Sequence, residues 1–129
     1  MEDSLNIRAL CIPTSLEEKP YIVTLNNYGD FSDEIGCRSL DVVCLWDDGE
    51  ISIDCFLDDE GIINNSPDNN YWLRSYLRGF TIQPFYGKTL ISMTNLDTGE
   101  SIDIDPVFVS KILKENFGFK ESELSALNI

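Results

Sequence analysis

The sequence predicts an α+β fold, a mostly antiparallel sheet of about five to seven strands with two or three short helices packed on one face. Three observations carry that prediction. Short apolar runs recur along the chain, each bounded by Pro, Gly, Asn or Asp. Asp48-Gly49, the strongest short hairpin signal a sequence offers, stands between two of them. Helix signals are few and short, the firmest being Asp105-Pro106, where Asp caps and Pro suits the first helical position.

Asn6 to Ile12 reads as a first strand closed by Pro13, and Tyr21 to Leu25 as its antiparallel neighbour. Thr14 to Pro20 between them is a polar turn region. Phe31 to Ile35 has room for one short helical turn, ended by Gly36. Leu40 to Trp46 is a third strand, followed by the Asp48-Gly49 turn. Ile51 to Leu57 then alternates: Ile51, Ile53, Cys55 and Leu57 face one side, Ser52 and Asp54 the other. That alternation predicts a sheet with one wet face and an exposed Asp54.

Asp58 to Gly61 is an acidic turn, and Ile62 to Asn70 a loop around Pro67. Asn69 or Asn70 is placed to cap a short helix through Tyr71, Trp72, Leu73, Tyr76 and Leu77, stopped at Gly79. Phe80 to Phe85 reads as irregular. Lys88 to Thr94 makes another strand, Asp97-Thr98-Gly99 a turn, and Ser101 to Ile104 its partner. A helix from Pro106 to about Phe117 stacks Val109, Leu113 and Phe117 at i, i+4 spacing and stops at Gly118. Glu121 to Leu127 adds one or two turns. No internal repeat, low-complexity tract or linker interrupts this order.

A chain of 129 residues is expected to form a single domain over 1–129, with a core at about 7–115 and a short helical extension at about 118–129. Hydrophobic residues make up 43%, which places a highly charged chain among globular rather than disordered ones. No apolar run approaches the length of a membrane span, and Met1-Glu2-Asp3-Ser4 does not look like the start of a secretory signal. A soluble, cytoplasmic protein is therefore expected.

Acidic residues number 23 against 9 basic, a formal net charge of −14. This argues against direct binding to duplex nucleic acid, which needs clustered Lys and Arg, and against anionic membranes. Two readings remain: the charge keeps the protein in solution, or an acidic face docks onto a basic groove that normally holds nucleic acid.

The chain has no histidine, which removes the commonest general base and the usual nucleophile pairs. No phosphate-binding glycine loop or serine nucleophile elbow occurs. Paired carboxylates are plentiful, but 23 acids supply such pairs by chance, so no enzyme and no cofactor is expected. The four cysteines, Cys11, Cys37, Cys44 and Cys55, form no C-x-x-C pair and are expected to stay reduced and metal-free. Asp54, Asp58, Asp59 and Glu60 carry oxygen ligands suited to Ca²⁺ or Mg²⁺, yet lack the spacing of a calcium loop.

Two groups stand out as candidate sites. Asp47, Asp48, Glu50, Asp54, Asp58, Asp59 and Glu60 lie between positions 47 and 60 with no Lys or Arg among them, a candidate partner-binding stripe. Asn69, Tyr71, Trp72, Arg74 and Arg78 lie in an aromatic stretch that also holds Phe80, Phe85, Tyr86 and Lys88. Aromatic and Arg side chains suit a protein hot spot, or a pocket that stacks a base and clamps a phosphate. They equally suit a helix whose aromatics fill the core while its arginines reach solvent.

Ile7-Arg8-Ala9-Leu10-Cys11-Ile12-Pro13, Gly36 to Val43, Asp59-Glu60-Gly61-Ile62-Ile63 with Pro67 and Asn69, and Gly87 occur in an order that resembles a family of small uncharacterised proteins. That family is found in phages, plasmids, actinobacteria and large DNA viruses. The resemblance spans roughly residues 7 to 115. It departs at the short helix before Gly36 and at Cys37, where the family has a second glycine. The resemblance implies a mobile-element origin and no established activity. Together with the charge, it leads to the expectation of a non-enzymatic inhibitor of a basic host protein, such as a nucleic-acid-handling defence system of the anti-CRISPR kind. Sequestration of a nucleotide signal by the aromatic segment is the alternative, and a metal-dependent hydrolase a weaker one. Homo-oligomerisation is left open.

Overall fold

Ile7–Ile12 (β1) and Tyr21–Leu25 (β2) pair antiparallel, with Ala9 opposite Val23. A helix of seven residues, Gly29–Ile35 (α1), leads into Leu40–Asp47 (β3) and Ile51–Asp58 (β4). Asn70–Ser75 (β5) and Thr81–Tyr86 (β6) follow, then Thr89–Asn95 (β7), Glu100–Ile102 (β8), Pro106–Phe117 (α2) and Glu121–Ser125 (α3). The computed structural model describes residues 6–13, 19–60, 70–75 and 81–127, with the backbone alone for 70–75, 81–86 and 116.

Six strands form one antiparallel sheet in the order β2-β1-β7-β4-β3, with β8 also paired to β7. The α+β class and the antiparallel sheet are those the sequence predicts. The helices, expected on one face, divide between two. On the first face Leu10, Ile12, Ile53, Cys55, Ile91 and Met93 meet Val109, Ile112 and Leu113 of α2 and Leu124 of α3. On the second, Ile7, Ala9, Cys11, Leu25 and Leu90 meet Phe31 of α1, whose ring lies 4.6 Å from that of Phe56. Strand alternation is the reason: β1 is apolar at every buried position, so both of its sides require a cover.

Local chemistry explains where the elements stop. Asp105 caps α2 by accepting a 2.9 Å hydrogen bond from Val107 N, and Pro106 fills the first helical position. Gly118 ends the helix at φ 66°, a conformation that costs other residues a steric penalty. In β3 the register slips between Cys44 and Trp46, a β-bulge. As a result Leu45 and Trp46 both join the first-face core, with Trp46 5.0 Å from Phe108 of α2.

Two further expectations fail. Tyr71 to Leu77 was expected to be helical and Phe80 to Phe85 irregular. Instead β5 and β6 form a two-stranded antiparallel sheet, with Tyr71 opposite Phe85 and Trp72 opposite Pro84. Aromatic residues favour pleated backbone once a partner strand is present, and Pro is tolerated because both strands of a pair are edges. The second failure is the wet face. Ser52 lies on the side opposite Ile53, as read, but is only 4% exposed.

Candidate functional site

The β3–β4 turn gathers the exposed part of the acidic stripe. Asp48 Oδ1 accepts from the backbone N–H groups of Glu50 and Ile51, both at 2.8 Å, and Asp47 Oδ1 accepts from Gly49 N at 3.2 Å. Gly49 takes φ 89°, the left-handed conformation that this turn requires. The bond from Ile51 N, then that from Glu50 N, holds the Asp48 carboxyl below the usual carboxylate range. Asp47, Asp48 and Glu50 are all exposed.

A second acidic turn adjoins the first. Leu96 N donates to Glu50 O at 2.8 Å, which brings the β7–β8 turn, with exposed Asp97 and Glu100, beside it. Sequence reading had kept these two turns apart, because the register that joins them links residues more than forty positions distant. Five exposed carboxylates therefore share one end of the sheet.

Asp58, Asp59 and Glu60 lie at the other end of β4, some eight residues or roughly 25 Å away. There the acids are partly committed to structure. Asp58 Oδ1 accepts from Glu60 N at 2.9 Å, Asp59 N donates to Ser39 O at 2.9 Å, and Arg38 Nη2 stands 3.9 Å from Glu60 Oε1. The stripe uninterrupted in sequence thus meets a cation in space.

Asp54, expected to be exposed, is half-buried on the second face. Its Oδ2 accepts from Ser52 Oγ at 3.0 Å and from Thr94 Oγ1 at 2.8 Å. Across the sheet, Asp54 stands opposite Cys44 on one side and Ser92 on the other, and Ser52 stands opposite Thr94. Ser92 is fully buried, and its Oγ has no hydrogen-bond partner. The Cys44 thiol donates toward Trp46 O at 3.5 Å, and burial, followed by the Asp54 and Asp47 charges, pushes its pKa up. A thiol so placed stays protonated and is a poor nucleophile. Sequence reading missed this polar cluster.

A second polar group also went unread. Tyr21 Oη donates to Glu34 Oε1 at 2.9 Å, Lys88 Nζ is 3.7 Å from the same oxygen, and Lys88 lies 5.9 Å from the Tyr21 ring centroid. Burial, then hydrogen bonding with Cys11 and Glu34, raises the Tyr21 pKa. The group ties α1 to the sheet.

Of the aromatic and Arg candidates, Tyr71, Trp72 and Arg74 stand in β5, while Asn69 and Arg78 lie outside the described residues. Cys11 and Cys55 are buried and Cys37 and Cys44 half-buried, and none of the four is in a disulfide. Among the described residues no group of three or more Cys, Asp and Glu is placed to hold a metal ion, including Asp54 with Asp58, Asp59 and Glu60. No helix among them is long and apolar enough to cross a membrane.

Residues 7–116 match the family described as a domain of unknown function, DUF3846. The chain belongs to this family. The matched span takes in every strand of the sheet and all of α2 except its last residue, so the acidic end and the Asp54 cluster both lie within the DUF3846 domain. No curated protein and no solved structure matches the chain.

Proposed function

We propose that this DUF3846 protein is a non-enzymatic binding protein of viral or mobile-element origin that inhibits a basic host protein. The target is a nucleic-acid-handling component of host defence in the host cytoplasm, met at the groove where it holds nucleic acid. The observation that carries the reading is the acidic end of the sheet. Asp47, Asp48 and Glu50 adjoin Asp97 and Glu100, all exposed, in a chain of net charge −14. Carboxylates clustered at spacings below the Debye length, roughly 10 Å at 0.1 M salt, sum into a local field that steers a basic partner. Such a field acts on the encounter rate more than on the final affinity.

The test compares the wild type with D47N/D48N/E50Q, first by capture from host lysate with mass spectrometry, then by association kinetics with the captured protein. The variant should associate about tenfold more slowly at low ionic strength and lose most of its salt dependence, with an unchanged circular dichroism spectrum. An association rate equal to the wild type's at low ionic strength would leave solubility as the only role of the charge.

A further inference from the structure

We propose that the β2 edge of the sheet is a self-association surface, where β2 of one copy pairs antiparallel with β2 of a second copy of this chain about a two-fold axis at Val23. The inference goes beyond the basic-partner reading and uses no residue of the acidic end.

The two ends of the six-stranded sheet differ. At one end β3 carries exposed Asp41 and Asp47 and the bulge between Cys44 and Trp46. Charges and bulges of this kind keep an edge from pairing with another chain. At the other end β2 is Tyr21-Ile22-Val23-Thr24-Leu25, with no charged residue and an unbroken register against β1. Among the described residues its backbone bonds to β1 alone. Thr24 is exposed and Tyr21, Ile22 and Val23 are only half-buried, whereas β1 beside them is buried at every position but Arg8. Ile22 packs on the first core and Tyr21 and Val23 on the second, so both cores run out to this edge. An uncharged, regular edge strand with apolar flanks is a template for strand addition.

Charge and sequence select a second copy as the occupant. Two chains of net charge −14 repel wherever their carboxylates meet, and β2 offers them an edge strand without one. A basic partner, by contrast, finds no carboxylate on this strand to steer it. Pairing about Val23 sets Val23 against its counterpart, Ile22 against Thr24, and Tyr21 against Leu25. Pairs of β-branched and aromatic residues favour an antiparallel ladder, and no like charges stand opposite. Just outside the strand the same register sets Lys19 against Asn27 and Pro20 against Asn26, again without a like-charged pair. The two-fold axis closes the contact on itself, so association stops at a dimer in which the two six-stranded sheets join into one.

The experiment is analytical ultracentrifugation of the full chain from about 1 to about 500 μM, joined to NMR of mixed labelled and unlabelled copies. The expected result is a monomer–dimer equilibrium that tightens at least about threefold between about 0.05 and about 0.5 M NaCl, because salt screens the repulsion and the β2 contact holds no ion pair. Intercopy NOEs should link Val23 to Val23 and Ile22 to Thr24. T24D, which adds a carboxylate to each paired strand, should weaken the dimer at least about tenfold with an unchanged circular dichroism spectrum. Monomer at every concentration, a dimer that salt dissociates, a T24D dimer as tight as the wild type's, or intercopy contacts at β3 or the acidic end would overturn the proposal. The NOEs are read on the wild type, so they decide the matter even where T24D fails to fold. Salt strengthens this dimer and weakens capture of a basic partner, so the two proposals fail separately.

Discussion

The two faces of the sheet are built from the same strands and end differently. On the first, Leu10, Ile53, Ile91 and Met93 meet a helix of twelve residues, about 18 Å long. On the second, α1 has seven residues, about 10 Å, and covers the end where Ala9, Cys11, Leu90 and Phe56 lie. Toward the other end of that face the inward positions turn polar: Ser52, Asp54, Ser92 and Thr94. One face is a sealed hydrophobic core, and the other is a core for half its length and a hydrogen-bonded polar cluster for the rest. The contrast shows how period-two strands divide labour, since each residue added to β4 or β7 serves only one of the two faces.

The largest test of this contrast is on the sealed face. Leu113→Ala, which empties a fully buried site beneath the sheet, should cost about 2–5 kcal/mol in urea unfolding. A loss below about 1 kcal/mol would mean that α2 is not the principal cover. On the polar half, Thr94→Val removes a 2.8 Å hydrogen bond to a carboxylate while keeping the side-chain shape. It should destabilise by about 1–2 kcal/mol in the same assay, and a neutral outcome would show that Asp54 draws little from this donor. Asp105→Ala, at the entrance to α2, should cost about 1 kcal/mol by loss of the cap.

The acidic turn has a pH signature of known sign. The Asp48 carboxyl has a lowered folded pKa, so its contribution is complete above the unfolded value and is lost as pH falls through the lower folded one. Asp48→Asn should therefore lower stability at neutral pH and flatten the acid limb below about pH 4, with the two proteins converging once the carboxyl is protonated. An acid limb identical to the wild type's would show that the turn hydrogen bonds do not favour the ionised form.

The parts of this fold that were legible in the sequence are those decided locally. Asp48-Gly49 announces its turn, Asp105-Pro106 its helix start, and Ile51 to Leu57 its two faces, because backbone geometry at each depends on residues a few positions away. β5 was misread for the opposite reason. Tyr71, Trp72 and Tyr76 fit helical spacing, but pairing of Asn70–Ser75 with Thr81–Tyr86 decided the outcome. The Asp54 cluster was illegible because it depends on the register of β4 against β7, some forty residues apart. Its one sequence signal was a shared pattern, Ser52-x-Asp54 and Ser92-x-Thr94, with polar residues two apart inside apolar strands. On the face expected to be wet Ser52 and Ser92 are buried instead, and the Ser92 hydroxyl has no hydrogen-bond partner.

The smallest expected effect is the most direct test, because its sign differs from every other core change. Ser92→Ala removes a buried hydroxyl that forms no hydrogen bond and leaves no cavity larger than an oxygen atom. In the absence of any ligand it should stabilise the protein by about 1 kcal/mol, a rise in Tm of about 3–5 °C by calorimetry. An S92A that melts below the wild type would contradict the account of this face as one that buries a hydroxyl without a hydrogen-bond partner.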